Sequence, residues 1–95
     1  MNGSTGGPVV RNARIINERG LHARAAARFV QLAQKFDSRV EVGFSGQSVG
    51  ATSIMGLMML GAAKGALLEI RATGRDAAHA ADALAKLVAR GFEDE

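Results

Sequence analysis

The sequence predicts an α+β domain in which a single β-sheet is covered on one face by helices. Segments with alternating apolar residues, which are typical of strands, are interleaved with segments whose apolar residues recur at helical spacing. The resulting order is β-α-β-β-α-β-α, with no internal repeat and no linker. A chain of 95 residues, 47% of them apolar and 22% charged, has room for one hydrophobic core. We therefore expect one two-layer sandwich of four strands and three helices.

The first strand and the first helix are predicted in the N-terminal third of the chain. β-Branched residues favour a strand over 9–16, and the segment NERGL that follows is predicted to turn, with Gly20 as its flexible point. A helix is predicted over 22–36 because its apolar side chains form one stripe. The members of that stripe are Ala26, Phe29, Val30, Ala33 and Phe36.

A hairpin is predicted in the middle of the chain. Residues 39–44 alternate cleanly, and the inward positions are Val40, Val42 and Phe44. Ser45 and Gly46 then turn the chain into a short strand over 47–51.

The C-terminal half is predicted to hold two helices and the last strand. A short apolar helix is expected over 53–60, with Ser53 as its N-cap. A strand over 66–73 directs Leu68, Ile70 and Ala72 inward. The last helix begins at Asp76 and stops at Gly91, which is a suitable residue to follow a helix end. Its buried face comprises Ala77, Ala80, Ala81, Leu84, Leu87 and Val88.

Positive charge is concentrated in the first third of the chain. The net charge is +3, and residues 11–28 contain five arginines against one acid, Glu18. Such a surface attracts nucleic acid, an anionic ligand or an acidic protein. The chain has no Trp or Tyr, which disfavours the aromatic stacking platforms of many RNA and single-strand binders. A basic nucleic-acid-binding module is nevertheless kept as the alternative function.

The two ends of the chain are expected to lie outside the domain, which is placed at 9–92. Residues 1–8 have neither the basic nor the apolar region of a signal peptide, and they are predicted to be a flexible tail. Residues 93–95 are all acidic and are predicted to be a frayed, solvated tail. No apolar run approaches the roughly 20 residues of a membrane span. The absence of cysteine says little about the compartment, but it fits the cytoplasmic protein that we expect.

The segment GLHAR, at positions 20–24, is the strongest candidate for a site. His22 stands where a turn gives way to a helix, whose first N–H groups (Ala23, Arg24 and Ala25) have no intrahelical acceptors and attract anions. Arg24 adds a guanidinium suited to phosphate oxygens. The pattern indicates an anion site with a nucleophilic imidazole, without a metal, a cofactor or another acid–base partner. The alternative is that His22 is an ordinary surface or capping residue.

The short helix over 53–60 is apolar on every side, so it is either fully buried or presents a docking surface. We assign Leu57 and Leu60 to the core and favour a docking role for the exposed side, which carries Ile54, Met55, Met58 and Met59. Ser53 is explained by capping alone, but a phosphate there would also be tolerated at a helix N-terminus. The other histidine, His79, is predicted to be solvated surface.

These features occur in the order and spacing of a known family. GLHARAAARFV resembles the active-site signature of HPr, the histidine-containing phosphocarrier of the bacterial phosphoenolpyruvate:sugar phosphotransferase system. SVGATSIMGLMMLGAAKGALLEI resembles the second signature of that family, around its regulatory serine. The resemblance runs from about Val9 to Phe92.

The resemblance implies a carrier and not an enzyme, in an open-faced β-sandwich with strand order 1-4-2-3. His22 would accept phosphate at Nδ1 from enzyme I, assisted by Arg24, and pass it to an enzyme IIA-type acceptor. The output would be sugar uptake or a regulatory relay of the nitrogen type. Ser53 would be the target of HPr kinase/phosphorylase, and the carrier would be a cytoplasmic monomer. Docking would involve Ala27, Arg28, Ile54, Met55, Met58 and Met59.

One residue departs from the family pattern. Ala25 stands where the family usually has Pro, a residue that fits a first helical turn because it lacks an N–H. We expect activity to survive, with altered phosphate affinity or transfer rate.

Overall fold

A computed structural model describes residues 7–94 as a four-stranded antiparallel sheet with three helices, in the strand order β1-β4-β2-β3. The predicted fold class and the strand order implied by the resemblance are both confirmed. Most of the predicted N-terminal tail, residues 1–6, lies outside the described residues, as does residue 95. The elements are β1 (Val9–Arg14), α1 (Ala23–Ala33), β2 (Ser38–Phe44), β3 (Gln47–Gly50), α2 (Ile54–Met59), β4 (Leu67–Gly74) and α3 (Ala77–Ala89), followed by a short 3₁₀ turn over Gly91–Glu93.

The last strand lies in the middle of the sheet and pairs with both β1 and β2. Ala72 is opposite Val9 of β1 on one side and Val40 of β2 on the other. Because side chains alternate along a strand, one face of β4 is completely buried while the other is exposed. The buried residues are Leu68, Ile70 and Ala72, as predicted.

Both β1 and α1 end earlier along the chain than predicted. β1 ends at Arg14: the N–H of Ile15 still donates to the opposite carbonyl of Ala66 at 2.9 Å, but its own carbonyl accepts from Gly65, one residue out of register. Ile15 is buried, whereas Ile16 is exposed. α1 ends at Ala33 and the chain then turns, so Phe36 lies at the edge of the core and is only partly buried.

The helices cover one face of the sheet and complete the core. Phe29 and Leu84 are fully buried, as is Leu57 of the short α2. Asp76 precedes α3 but does not cap it with its side chain. Its carboxylate instead accepts hydrogen bonds from the Ser38 hydroxyl and from the N–H of Asp37, so it ties the start of α3 to the start of β2. No helix within residues 7–94 is long and apolar enough to cross a membrane.

Residues 93 and 94 pack back against the domain, which corrects the prediction of a frayed tail for these two residues. Gly91 stops α3 with φ of 71°, as predicted, and Phe92 then inserts into the core with no exposed surface. Asp94 is turned back onto the start of α1, where its side chain is only 8% exposed. The prediction of a tail was based on the acidic composition of residues 93–95 and did not consider that Phe92, directly before them, could be buried.

Candidate functional site

The loop before α1 is held in place by the loop that follows α2. The N–H of Leu21 donates to the carbonyl of Ala62 at 3.0 Å. Gly20 adopts φ of 65°, and a Cβ at this position would lie only 2.7 Å from the Ala62 carbonyl oxygen. Glycine is therefore required both by the backbone conformation and by the close approach of the two loops. This packing determines where the next residues enter α1.

His22 lies at the N-cap of α1 but does not cap the helix with its side chain. Its backbone is extended, and its carbonyl accepts the first helical bond, from the N–H of Ala26. The N–H groups of Ala23, Arg24 and Ala25 are thus the first three of the helix, where helical geometry supplies no acceptor. The helix entrance has the open donors and partial positive charge that suit an anion.

The imidazole of His22 contacts a carboxylate from the C-terminal turn. Its Nε2 lies 3.0 Å from Oδ2 of Asp94, and the ring is 21% exposed. The side-chain amide of Asn17 donates to the same Oδ2 at 3.2 Å and to the Gly20 carbonyl at 2.9 Å. Asn17 is buried. Its two hydrogen bonds connect the loop before His22 to the C-terminal turn.

Arg24 completes the charged cluster. Its Nη1 lies 3.6 Å from Oδ1 of Asp94, and its side chain is 55% exposed. Arg24 and Asp94 line a shallow cavity of about 350 Å³ together with Glu18 and Arg19. A half-exposed, permanently charged guanidinium that lines such a cavity can reach an arriving anion.

The contacts of Asp94 determine its charge state. Burial acts to raise its pKa, but the hydrogen bonds from Asn17 and His22 and the nearby Arg24 charge act in the opposite direction. The net result is a pKa below the ordinary value of 3.8. Asp94 is therefore ionised at neutral pH and faces His22 as a hydrogen-bond acceptor.

The sequence interpretation missed Asp94 and Asn17. It found no acid–base partner near His22, because these two residues lie 72 positions after and 5 positions before it. One signal was available: an apolar residue directly after a helix-ending glycine often packs back onto the helix. Phe92 after Gly91 fits this pattern and could have indicated a docked chain end.

The alanines after His22 divide between the core and the surface. Ala25 and Ala26 are completely buried, so their side chains pack in the core and do not border the site. Ala23 is exposed at the helix entrance.

The helix α2 exposes the apolar side chains that the sequence singled out, and it buries Leu57 and Leu60. Met55 and Met59 are the most exposed, at 69% and 74%. The carbonyl of Ala62, three residues after Met59, accepts the hydrogen bond from Leu21, so the end of this helix lies beside the loop that carries His22. The hydroxyl of Ser53 accepts a bond from the N–H of Gly56 at 2.9 Å, as expected for an N-cap.

The two remaining predicted docking residues, Ala27 and Arg28, lie on α1 and are both partly buried. The side chain of Arg28 extends toward the C-terminal turn. The Nη1 of Arg28 donates to the carbonyls of Phe92, at 2.8 Å, and Glu93, at 2.6 Å. The guanidinium of Arg28 therefore holds the C-terminal turn, a role that the sequence did not suggest. The second histidine, His79, is exposed on α3, as predicted.

Comparison with protein families identifies the family to which this site belongs. Residues 9–90 match the family model described as the PTS HPr component phosphorylation site. The chain belongs to the HPr family. Proteins of this family are phosphocarriers and not enzymes, in agreement with the interpretation of the sequence.

Curated relatives of the HPr family cover most of the chain. The chain is 46% identical over 82 residues to the phosphocarrier protein HPr of Cupriavidus necator. The aligned region covers 86% of this chain and 92% of the relative. It is 50% identical over 74 residues to the phosphocarrier protein HPr of Neisseria meningitidis, over 78% of this chain and 83% of the relative.

Solved HPr structures share the fold. HPr-C-His from Thermoanaerobacter tengcongensis superimposes with a TM-score of 0.85 at 41% identity, covering 92% of this chain and 98% of that chain. A further structure from the same organism is described as an HPr dimer; its TM-score is 0.71 at 44% identity, over 84% of this chain and 92% of that chain.

Proposed function

We propose that His22 receives a phosphoryl group from phosphorylated enzyme I and passes it to an enzyme IIA-type acceptor. The observation that carries this proposal is the position of His22 at the open N-terminus of α1, beside the half-exposed guanidinium of Arg24. Both residues lie within the segment that matches the phosphorylation-site family model. The carrier works in the cytoplasm as a monomer that docks, transfers phosphate and leaves.

The transfer step uses the free electron pair on Nδ1 of the His22 imidazole. The electron pair of Nδ1 attacks phosphorus, a nitrogen–phosphorus bond forms, and the bond from phosphorus to the donor breaks with its electron pair remaining on the donor. The phosphoryl oxygens are then met by the free N–H groups of Ala23, Arg24 and Ala25 and by the Arg24 side chain. Positioning and charge stabilisation supply the catalysis, as is usual in phosphoryl transfer.

The experiment is incubation with enzyme I and phosphoenolpyruvate. We expect the wild type to gain an acid-labile, alkali-stable phosphate and His22→Ala to gain none. The matched control is His79→Ala, which removes the other histidine from an exposed helix face and should be phosphorylated like the wild type. Normal labelling of His22→Ala would overturn the site. Transfer onward is measured by adding a IIA domain to the labelled carrier and following the loss of its phosphate.

The exposed face of α2 is the docking surface in this proposal. Ile54, Met55, Met58 and Met59 are exposed on a helix whose end lies beside the His22 loop, so a partner covering them reaches the phosphorylated ring. Flexible methionine side chains suit a carrier that binds several partners in turn. The same surface would serve either output, sugar uptake or a nitrogen-type relay, and the IIA domain that discharges the carrier decides between them.

Ser53 is proposed as the site of HPr kinase/phosphorylase. Its hydroxyl is exposed at the start of α2, so a phosphate would sit at a helix N-terminus, where the fold tolerates negative charge. The charge would alter docking on the adjacent methionines. Incubation with the kinase and ATP should give an acid-stable phosphate that Ser53→Ala loses and Ser48→Ala, an exposed serine of β3, retains. Labelling that persists in Ser53→Ala would contradict the assignment.

A further inference from the structure

The C-terminal turn is built to deliver one carboxylate to His22. Three successive residues, Gly91, Phe92 and Glu93, have φ near +60° to +70°, a conformation that Phe and Glu rarely adopt. The burial of Phe92 and the two hydrogen bonds from Arg28 to the turn carbonyls hold this backbone in place. The residue that emerges from the turn is Asp94, with its side chain almost fully buried against α1.

The carboxylate determines which ring nitrogen of His22 carries the proton. An ionised carboxylate can only accept hydrogen bonds, so the Nε2 that lies 3.0 Å from Asp94 must be the nitrogen that donates. A neutral imidazole carries one N–H only, so Nδ1 then holds the free electron pair. Asn17 donates to the same oxygen and fixes the carboxylate in this orientation.

We propose that Asp94 is a positioning residue for phosphoryl transfer: it holds the neutral His22 ring in the tautomer whose Nδ1 is free to attack phosphorus. The proposal rests on the proposed function of His22 and adds a residue to its site. Asp94 acts through the ring and does not touch the phosphoryl group.

This arrangement removes proton transfer from the reaction. Nδ1 has no proton to lose, and Nε2 keeps its own, so the nitrogen–phosphorus bond forms without a general base. The ring gains positive character as Nδ1 gives up its electron pair, and the facing carboxylate of Asp94 stabilises that charge. When phosphate leaves for an acceptor, the pair returns to Nδ1 and the starting tautomer is restored.

Asp94 also holds Arg24 beside the ring before phosphate arrives. Its second oxygen, Oδ1, lies 3.6 Å from the guanidinium. The half-exposed Arg24 side chain is free to exchange this longer contact for phosphoryl oxygens, while the shorter bond to Nε2 stays in place.

The first test is made on the unphosphorylated protein, by long-range ¹⁵N–¹H NMR of the imidazoles at a pH where they are neutral. In the wild type we expect a single His22 tautomer, protonated at Nε2, with a hydrogen-bonded Nε2 proton protected from exchange. Asp94→Ala should lose that proton signal and become a mixture of tautomers. The control is Asp82→Asn, which removes an exposed carboxylate on α3 that pairs with Arg11 and should leave the His22 signals unchanged.

The second test is the rate of phosphorylation by enzyme I and phosphoenolpyruvate. Asp94→Ala removes the acceptor of the Nε2 proton, and loss of one hydrogen bond to a charged group predicts that kcat falls about tenfold. KM for the carrier should be unchanged, because the Asp94 side chain is almost fully buried and presents little surface to a partner. Asp82→Asn should keep the wild-type rate.

The outcomes separate this proposal from the proposed function. A wild-type ring protonated at Nδ1, or one whose Nε2 proton is unprotected, overturns the role of Asp94 even if His22 is phosphorylated, and it requires no variant to fold. Unchanged or faster phosphorylation of Asp94→Ala also overturns it, and a faster rate would mean that the carboxylate competes with phosphate for Arg24. If the wild type takes no phosphate, the proposed function fails, while the NMR result still decides whether Asp94 sets the tautomer.

Discussion

Gly20 positions His22 because it has no side chain and can adopt a left-handed backbone conformation. Its left-handed φ and the 2.7 Å approach of the Ala62 carbonyl exclude any side chain at this position. The left-handed φ determines the direction of the chain. The missing side chain lets the loop before α1 pack directly on the loop after α2. The functional histidine is thus positioned by a residue without chemistry of its own.

Substitution of Gly20 tests this interpretation. Gly20→Ala should lower the free energy of unfolding by about 3 kcal/mol or more, because strain and a backbone clash add together. Gly46→Ala is the matched control, since Gly46 has φ of 82° but nothing within 4 Å of a Cβ. There we expect only the conformational cost, about 1 kcal/mol. Urea unfolding of both variants measures the difference, and equal losses would mean that the loop contact contributes nothing.

Among the elements, α2 most clearly separates stability from function. It is only six residues long, and one of them, Leu57, has no exposed surface. A helix this short has little stability of its own, so packing of Leu57 and the Ser53 cap keep it formed. Its exposed methionines are then available to partners at no cost to the core.

Paired substitutions on α2 make this separation measurable. Met55→Glu should change the free energy of unfolding by no more than about 0.5 kcal/mol, because the side chain is mostly solvated. It should also raise KM for phosphotransfer, because a charge then replaces an apolar docking contact. Leu57→Ala should instead cost about 2 to 5 kcal/mol through a core cavity. Unfolding of Met55→Glu would show that Met55 belongs to the core.

Across the whole molecule, three of the five arginines between residues 11 and 28 make contacts in separate parts of the fold. Arg11 pairs with Asp82, Arg14 donates to the carbonyl of Gly65, and Arg28 binds the chain end. The basic patch on which the nucleic-acid hypothesis depended is therefore dispersed. Arg24 remains at the site, where positive charge suits a phosphoryl group.

Acidic residues hold separate parts of the chain together, and this predicts the pH dependence of stability. The hydrogen bonds from Ser38 and from the N–H of Asp37 hold the pKa of Asp76 below its ordinary 3.8. The pKa of Asp94 is also lowered, as is that of Glu18 by its pairing with Lys64. The unfolded chain therefore binds protons at a higher pH than the folded one, and stability is lost as the pH falls through this range.

Urea unfolding between pH 7 and pH 3 checks this expectation. The free energy of unfolding should be constant near neutrality and begin to fall at about pH 4.5, where the unfolded carboxylates start to bind protons. Asp76→Asn should be less stable at pH 7 and show a shallower acid decline. A stability that rises toward pH 3, or an unchanged slope in Asp76→Asn, would contradict the assignment.

The sequence by itself determined the order of elements, the buried faces of α1 and β4, and His22 with Arg24 as the candidate site. These follow from local periodicity and from neighbouring positions in one helical turn, which the chain carries in short windows. The exposed methionines of α2 could likewise be recognised, because a helix apolar on all sides cannot be buried entirely on a one-sided sheet.

Only the tertiary structure decided what surrounds the histidine. Asp94 and Asn17 reach His22 because Phe92 finds a place in the core and Arg28 binds the turn carbonyls, and no local pattern encodes those long-range contacts. A short acidic chain end favours solvent on its own, and it is ordered here because burial of a preceding aromatic outweighs that preference. The residue expected to be a solvated tail is therefore the one that faces the imidazole.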